Sequence, residues 1–259
     1  MHLLSGRASD GDEALELAIA HALVRRAGAG AVDDVLRIYR PARPVAVFGR
    51  RDTRLPGFPA AADAARAAGF EPLVRATGGR AVAYTDQALV VDLVVHDQAS
   101  IGGQDARFER YGALMAGVFA TFGVDARVGS VPGEYCPGAH SVNARGSVKL
   151  VGTAQRMTRT AWLFSSLVVV ADDDRLRPVL AEVYRHLDQP FDADSVGSLR
   201  SEVPGLTVGE VEAALVAAYT AEEHPTPGAL DRATLGLARE LVPDHRVDAV
   251  DAATRPPVP

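Results

Sequence analysis

The chain has one cysteine, Cys136, and one lysine, Lys149, and both fall in the stretch Val131 to Arg156, VPGEYCPGAHSVNARGSVKLVGTAQR. The other 26 of its 27 basic residues are arginine. Lysine differs from arginine in carrying a compact, titratable ammonium. A thiol beside such a charge is favoured as its nucleophilic thiolate. No Asp or Glu occurs from Tyr135 to Ala171, whereas Arg145, Lys149, Arg156 and Arg159 do, so the local field favours an anion. Taken singly, a lone free cysteine more often packs as a small hydrophobe, and a lone lysine is what an Ala/Arg/Gly-rich composition leaves behind. Together, and with the turn formers Pro137 and Gly138 after the thiol, they read as a nucleophile with its charge partner. His140, four residues on, is a second candidate base.

Two small-residue segments could shape the space around such a thiol. Thr77-Gly78-Gly79-Arg80 lies between strand-like runs. Its glycines serve either a hairpin turn or a backbone that a ligand approaches closely. No Gly-Lys-Ser/Thr follows, so this is not a P-loop, and it does not open a Rossmann helix. Gly152-Thr153-Ala154 follows Lys149 by three residues and either leaves room for a slender apolar chain or lets a strand cross tightly. Alternation places Lys149, Val151 and Thr153 on one strand face. Arg50, Arg51 and Arg54 form a basic cluster, a solvated face or a docking surface for an acidic partner.

GEYCPG followed by VKLVGTAQR, with FGRRDTRLPG at Phe48–Gly57 and RATGGRAVAY at Arg75–Tyr84, resembles the biotin/lipoate protein ligase superfamily. Within it the likeness is to the octanoyl-[glycine cleavage system H protein]:protein N-octanoyltransferases, over roughly Ile38 to Ala171. The resemblance implies a mainly antiparallel sheet flanked by helices. It implies an acyltransferase of lipoate metabolism that moves an octanoyl or lipoyl group through a Cys136 thioester onto a lysine of a lipoyl carrier domain. Lys149, rather than His140, would lower the thiol pKa and hydrogen-bond the acyl carbonyl. Arg75, Thr77, Gly78, Gly79, Arg80, Ala81, Gly152, Thr153 and Ala154 would line the acyl site. The implied carriers are the glycine cleavage H protein and the acyltransferase subunits of 2-oxoacid dehydrogenases, with no cofactor required. Two alternatives stay open. One is an ATP-dependent lipoate–protein ligase using ATP and Mg, in which Cys136 is incidental, although such ligases tend to carry a third glycine where this chain has Arg80. The other is a non-catalytic carrier-binding protein.

The elements that must position these residues follow from the pattern. Helices are expected over 10–28, 59–69, 105–123 and 174–187, the third with Phe108, Tyr111, Leu114 and Val118 on its apolar face. Strands are expected over 35–39, 44–48, 73–75, 88–95, 124–128, 149–155 and 160–171, which makes the class α+β. We expect a catalytic domain over 1–190 and a helical C-terminal extension over 191–259 packed on it, with helices at 195–202, 207–222 and 228–241 and frayed last residues. The formal charge of −6 argues against general nucleic-acid binding. One cysteine excludes an internal disulfide, and the seven histidines show no metal-ligand spacing. No signal-like or membrane-spanning apolar run is present, so no membrane association and a cytoplasmic location are expected.

Overall fold

A computed structural model describes residues 1–248; the expected frayed end lies outside the described residues. The strands are β1 His2–Ser5, β2 Val35–Tyr39, β3 Val45–Phe48, β4 Glu71–Val74, β5 Val82–Tyr84, β6 Ala88–His96, β7 Ala126–Val128, β8 Val142–Ala144, β9 Val148–Met157, β10 Ala161–Val169 and β11 Thr226–Pro227. The helices are α1 Glu13–Gly28, α2 Phe58–Ala67, α3 Gln104–Thr121, α4 Asp173–His186, α5 Leu199–Glu202, α6 Val208–Glu223 and α7 Arg232–Leu241.

Eight strands form one sheet in the order β11-β1-β2-β6-β10-β9-β8-β7. It is antiparallel except at β11–β1 and β1–β2. A smaller sheet, β4-β3-β5, lies apart from it. The α+β class with a mainly antiparallel sheet and flanking helices is therefore as the sequence leads one to expect. The short strands β1, β8 and β11 were not expected. Strands of two to four residues carry too little alternation to be seen without their partners.

The long central strands β6 and β10 run 88–96 and 161–169 in unbroken register, and each presents two different faces. Toward α3 and α6 point Leu89, Val91, Leu93, Phe164 and Val168, in one apolar core with Tyr111, Met115, Val118 and Phe119 of α3. The buried stripe of α3 is thus centred on Tyr111, Met115 and Phe119, with Phe108 and Leu114 at its margins. A cavity opens on the opposite face, lined from these two strands by Val90, Asp92, Leu163, Ser165 and Leu167. On that side Arg37 of β2 is fully buried between the carboxylates of Glu16 (α1) and Asp92. The Arg37 guanidinium also lies 4.1 Å over the Tyr39 ring.

The described residues beyond Pro190 pack against the rest at several places. Helix α6 starts with a capping box formed by Thr207 and Glu210 and contributes Val208, Val211 and Leu215 to the apolar core shared with α3. Helix α7 packs on α1. Strand β11 pairs with β1. Among the described residues, no helix is long and apolar enough to cross a membrane.

Candidate active site

Two loops meet at the thiol. The first, Ala76–Arg80, joins β4 to β5; the second, Val131–Ser141, joins β7 to β8. Cys136 itself has φ 44°, a left-handed conformation that is uncommon and costly for a non-glycine residue. It is held there from both sides. The Cys136 N–H donates to the Tyr184 hydroxyl, and that hydroxyl donates in turn to the Ala81 carbonyl at 2.9 Å.

The sulfur accepts hydrogen bonds from the Arg80 backbone N–H at 3.1 Å and from Arg75 Nη2 at 3.4 Å. Arg75 is fixed by donating to the Gly78 carbonyl at 3.1 Å and the Arg80 carbonyl at 2.6 Å. Gly79 has φ 103°, and a Cβ there would stand 2.7 Å from the sulfur and 2.4 Å from Arg75 Nη2. The glycine is what lets the loop close over the thiol. Arg80 points its side chain away, onto the fully buried Asp52 at 3.0 Å. Asp52 also accepts from the Gly49 N–H at 3.0 Å, so one carboxylate ties the end of β3 to the glycine loop.

Lys149 is present at the site but engaged differently from the expectation. It is buried, and its ammonium donates to the carbonyls of Tyr135 and Cys136, each at 2.9 Å, and pairs with Glu134 Oε2 at 2.9 Å. Two of its three N–H groups are thus taken by the loop's backbone, while Glu134 Oε2 makes a close ion pair without hydrogen-bond geometry. Lys149 therefore acts on the thiol through its field and through the loop's backbone. Glu134 is the residue that sequence reasoning passed over. It stands one position before the acid-free run, and its other oxygen accepts from the Val131 and Gly138 N–H groups, both at 3.2 Å.

These contacts decide the thiol's ionisation. Burial pushes it up, but the Arg75 guanidinium, the Lys149 ammonium and the Arg80 N–H together outweigh burial, and the net shift is downward from the ordinary cysteine value. The low-pKa environment expected for a nucleophilic thiol is thus supplied first by Arg75, with Lys149 second.

Two hollows meet at Cys136. One runs between the sheets and is mostly apolar, lined by Leu17, Ala20, Tyr39, Val47, Val82, Val90, Leu163 and Leu167, with Arg75–Thr77 and Gly152–Ala154 on its walls. At Gly152 a Cβ would make only ordinary contact, 3.5 Å from Lys149 Cε, so its smallness leaves room rather than being demanded by a crossing. Its polar lining includes His21, Asp92, Ser165, Ser166 and Tyr84, and Ser165 donates to Asp92 at 2.7 Å. Burial and nearby Arg156 push His21 down to about 3, which leaves it neutral. The second hollow is more open and includes Gly78, Gly79, Gln104, Phe108, Pro137–Ser141, Lys149 and Gln155. Cys136, Thr153 and Ala154 border both.

The remaining expected residues fall as follows. Ala81 lines neither hollow; it is buried and serves through its carbonyl to Tyr184. His140 stacks on Phe108 with ring centroids 5.2 Å apart and lies 3.7 Å from Asp105, and the sulfur is not among its partners. Arg50, Arg51 and Arg54 are exposed on the turn around Asp52, beside the glycine loop that Asp52 anchors. Among the described residues, no group of three or more His, Cys, Asp or Glu side chains gathers as metal ligands.

Residues 12–220 match the family described as the lipoyl protein ligase A/B catalytic domain. The chain belongs to that family. Among curated proteins it is 32% identical, over 148 residues, to the octanoyl-[GcvH]:protein N-octanoyltransferase of Geobacillus kaustophilus (strain HTA426), covering 57% of this chain and 52% of that one. The chain thus spans about half the length of the curated relatives it matches. Its fold is that of a lipoate-protein ligase A solved with bound ATP, at TM-score 0.72 and 21% identity over 93% of both chains. It is equally that of a putative lipoate protein ligase from T. acidophilum with bound lipoic acid, at TM-score 0.71 and 20% identity over 93% of both chains.

Proposed function

We propose that this member of the lipoyl protein ligase A/B family is an octanoyl/lipoyl acyltransferase working through a thioester on Cys136. The observation that carries the reading is the thiol's position. Its sulfur takes hydrogen bonds from Arg80 N–H and Arg75 and stands where a narrow, mostly apolar hollow meets an open one. The similarity to an octanoyl-[GcvH]:protein N-octanoyltransferase supports the same reaction class.

In the first step the Cys136 thiolate attacks the acyl carbonyl of an octanoylated carrier lysine. A C–S bond forms, the C–N bond breaks, and the amine leaves carrying a proton. In the second step the amine of another carrier lysine attacks the thioester. The C–N bond forms, the C–S bond breaks, and the thiolate is returned to Arg75 and Arg80 N–H. The acyl tail lies in the hollow between the sheets, against Thr77, Gly152, Thr153 and Ala154, while the carrier approaches from the open side bordered by Gly78 and Gly79. Amide-to-amide exchange is close to thermoneutral, so no ATP is required and the difficulty is kinetic, which covalent catalysis divides into two lower barriers. The carriers are lipoyl domains: the glycine cleavage H protein as donor, and acyltransferase subunits of 2-oxoacid dehydrogenases as acceptors. The exposed Arg50, Arg51 and Arg54 are the docking charges for these domains. Residues 191–248 are read as a helical extension of the catalytic domain.

The test is intact mass after incubation with octanoylated H protein in the absence of nucleotide. The expected result is one octanoyl group per chain, removed by hydroxylamine and absent from Cys136→Ser. If Cys136→Ser instead retained full attachment of free lipoate to a carrier with ATP, the ligase reading would replace this one.

A further inference from the structure

An enzyme that hands acyl groups to lysine has placed its own lysine beside its thioester. Lys149 Nζ donates to the main-chain carbonyl of the residue that bears the thiol, Cys136, at 2.9 Å, and it is the sole lysine in the sequence. A neutral amine so near an acyl thioester is a competing acceptor. Attack by Lys149 would form a C–N bond, break the C–S bond and release Cys136 as thiol. The product amide would leave the enzyme acylated permanently.

We propose that Glu134 guards against this capture, holding Lys149 charged and turned onto the loop so that the acyl group on Cys136 passes only to the incoming carrier lysine. The inference rests on the thioester reading of Cys136. Three observations carry it. Glu134 is 1% exposed and its carboxylate lies 2.9 Å from the buried ammonium. Two N–H groups of Lys149 donate to the carbonyls of Tyr135 and Cys136, which turns the ammonium onto the loop backbone. Glu134 is in turn anchored by the Val131 and Gly138 N–H groups, which fixes it independently of the lysine. A buried ammonium without its carboxylate loses the charge that offsets its desolvation. The other groups facing Lys149 do not replace the carboxylate: the Tyr135 ring lies 4.7 Å from Nζ, and the Arg75 guanidinium on the far side of the thiol is itself a cation.

The experiment compares the wild-type protein with Glu134→Gln, each incubated with a small octanoyl thioester, S-octanoyl-N-acetylcysteamine, and then mapped by peptide mass spectrometry with and without hydroxylamine. Gln retains an oxygen for the Val131 and Gly138 N–H groups and lacks the charge. The wild type is expected to carry only a hydroxylamine-labile adduct on Cys136. Glu134→Gln is expected to accumulate a hydroxylamine-resistant octanamide on Lys149, and Glu134→Gln with Cys136→Ser to show none. Because loss of a buried charge can prevent folding, a second arm uses Glu134→Asp, which keeps the carboxylate but draws it back from Nζ by one methylene. It should accumulate a smaller amount of the Lys149 octanamide, and only where Cys136 is present. A Cys136 thioester with Lys149 unmodified in both arms would overturn the guarding role while leaving the transferase reading intact. No labile adduct in the wild type at all would overturn both.

Discussion

The two faces of the eight-stranded sheet are built from the same strands and do opposite things. Toward α3 and α6 every second residue of β6 and β10 is large and apolar, apart from Ser166, and the face is filled. Toward the small sheet the intervening positions hold Arg37, Asp92, Ser165, Gly152 and Ala154, and the face is left partly open. The closed face carries the stability; the open face gives up packing to keep a channel and a set of fixed charges. Buried charges that are paired add little stability and are costly to break, so the Arg37–Glu16–Asp92 group reads as the framework of the open face rather than its glue.

The contrast can be broken at chosen points. The largest effect on activity is expected from Gly79→Ala, whose methyl would occupy the space between the sulfur and Arg75. Displacement of the thiol should lower acyl transfer by about 100-fold or more, with some fall in the melting temperature as well, because alanine is strained at φ 103°. A rate within a few-fold of wild type would show that the loop is slack. Next come paired substitutions on opposite faces. Leu93→Ala on the closed face should cost about 2–5 kcal/mol of stability, read by urea unfolding, while chain-length preference is unchanged. Ala154→Leu on the open face should cost little stability. It should favour acetyl over octanoyl thioesters by roughly tenfold or more, as overfilled space does. If Leu93→Ala altered chain-length preference as much as Ala154→Leu did, the two faces would not be separate in function.

A subtler change is expected from Arg75→Ala. Alkylation of Cys136 by iodoacetamide follows the thiolate, and the thiol of the wild type sits below the ordinary cysteine value. The wild-type rate should therefore rise with pH earlier than a free cysteine's, and removing Arg75 should move that rise to higher pH. An unchanged profile would assign the shift to Lys149 instead. The smallest effect is expected from Arg50→Glu with Arg54→Glu. Carrier-dependent transfer should fall by roughly tenfold at low salt and converge with wild type as salt rises, while thiol alkylation stays the same. Transfer indifferent to both salt and charge reversal would make these arginines a solvated face only.

Much of the closed face and of the site's backbone could be read from residue types. The α3 and β6 patterns, Cys136 and the Gly78–Gly79 turn each announce themselves by period or by rarity. What stayed hidden shares one property: its role comes from a partner distant in sequence. Tyr184 is an ordinary helix aromatic until its hydroxyl meets Cys136 and Ala81. Asp52 sits among arginines and reads as solvated, yet it is fully buried on Arg80. Glu134 stands one residue before the acid-free run, and nothing in its type marks it out. Lys149 stands out by its rarity, but its ion pair with Glu134 and its bonds to two loop carbonyls are a geometry that spacing alone does not carry.

The pairing of β11 with β1 also bears on how copies of this protein meet one another. An open sheet with a mostly apolar hollow on one face is at risk of stacking edge to edge, because an unpaired strand is a template for another. Here the outermost strand is two residues long, Thr226–Pro227, lies between Pro225 and Gly228, and ends on a residue with no N–H to offer. At the opposite edge stands β7, three residues long with exposed Arg127 at its centre. Both margins of the sheet are too short and too poorly furnished to recruit a neighbour, which keeps a molecule with an apolar channel from polymerising through its own backbone.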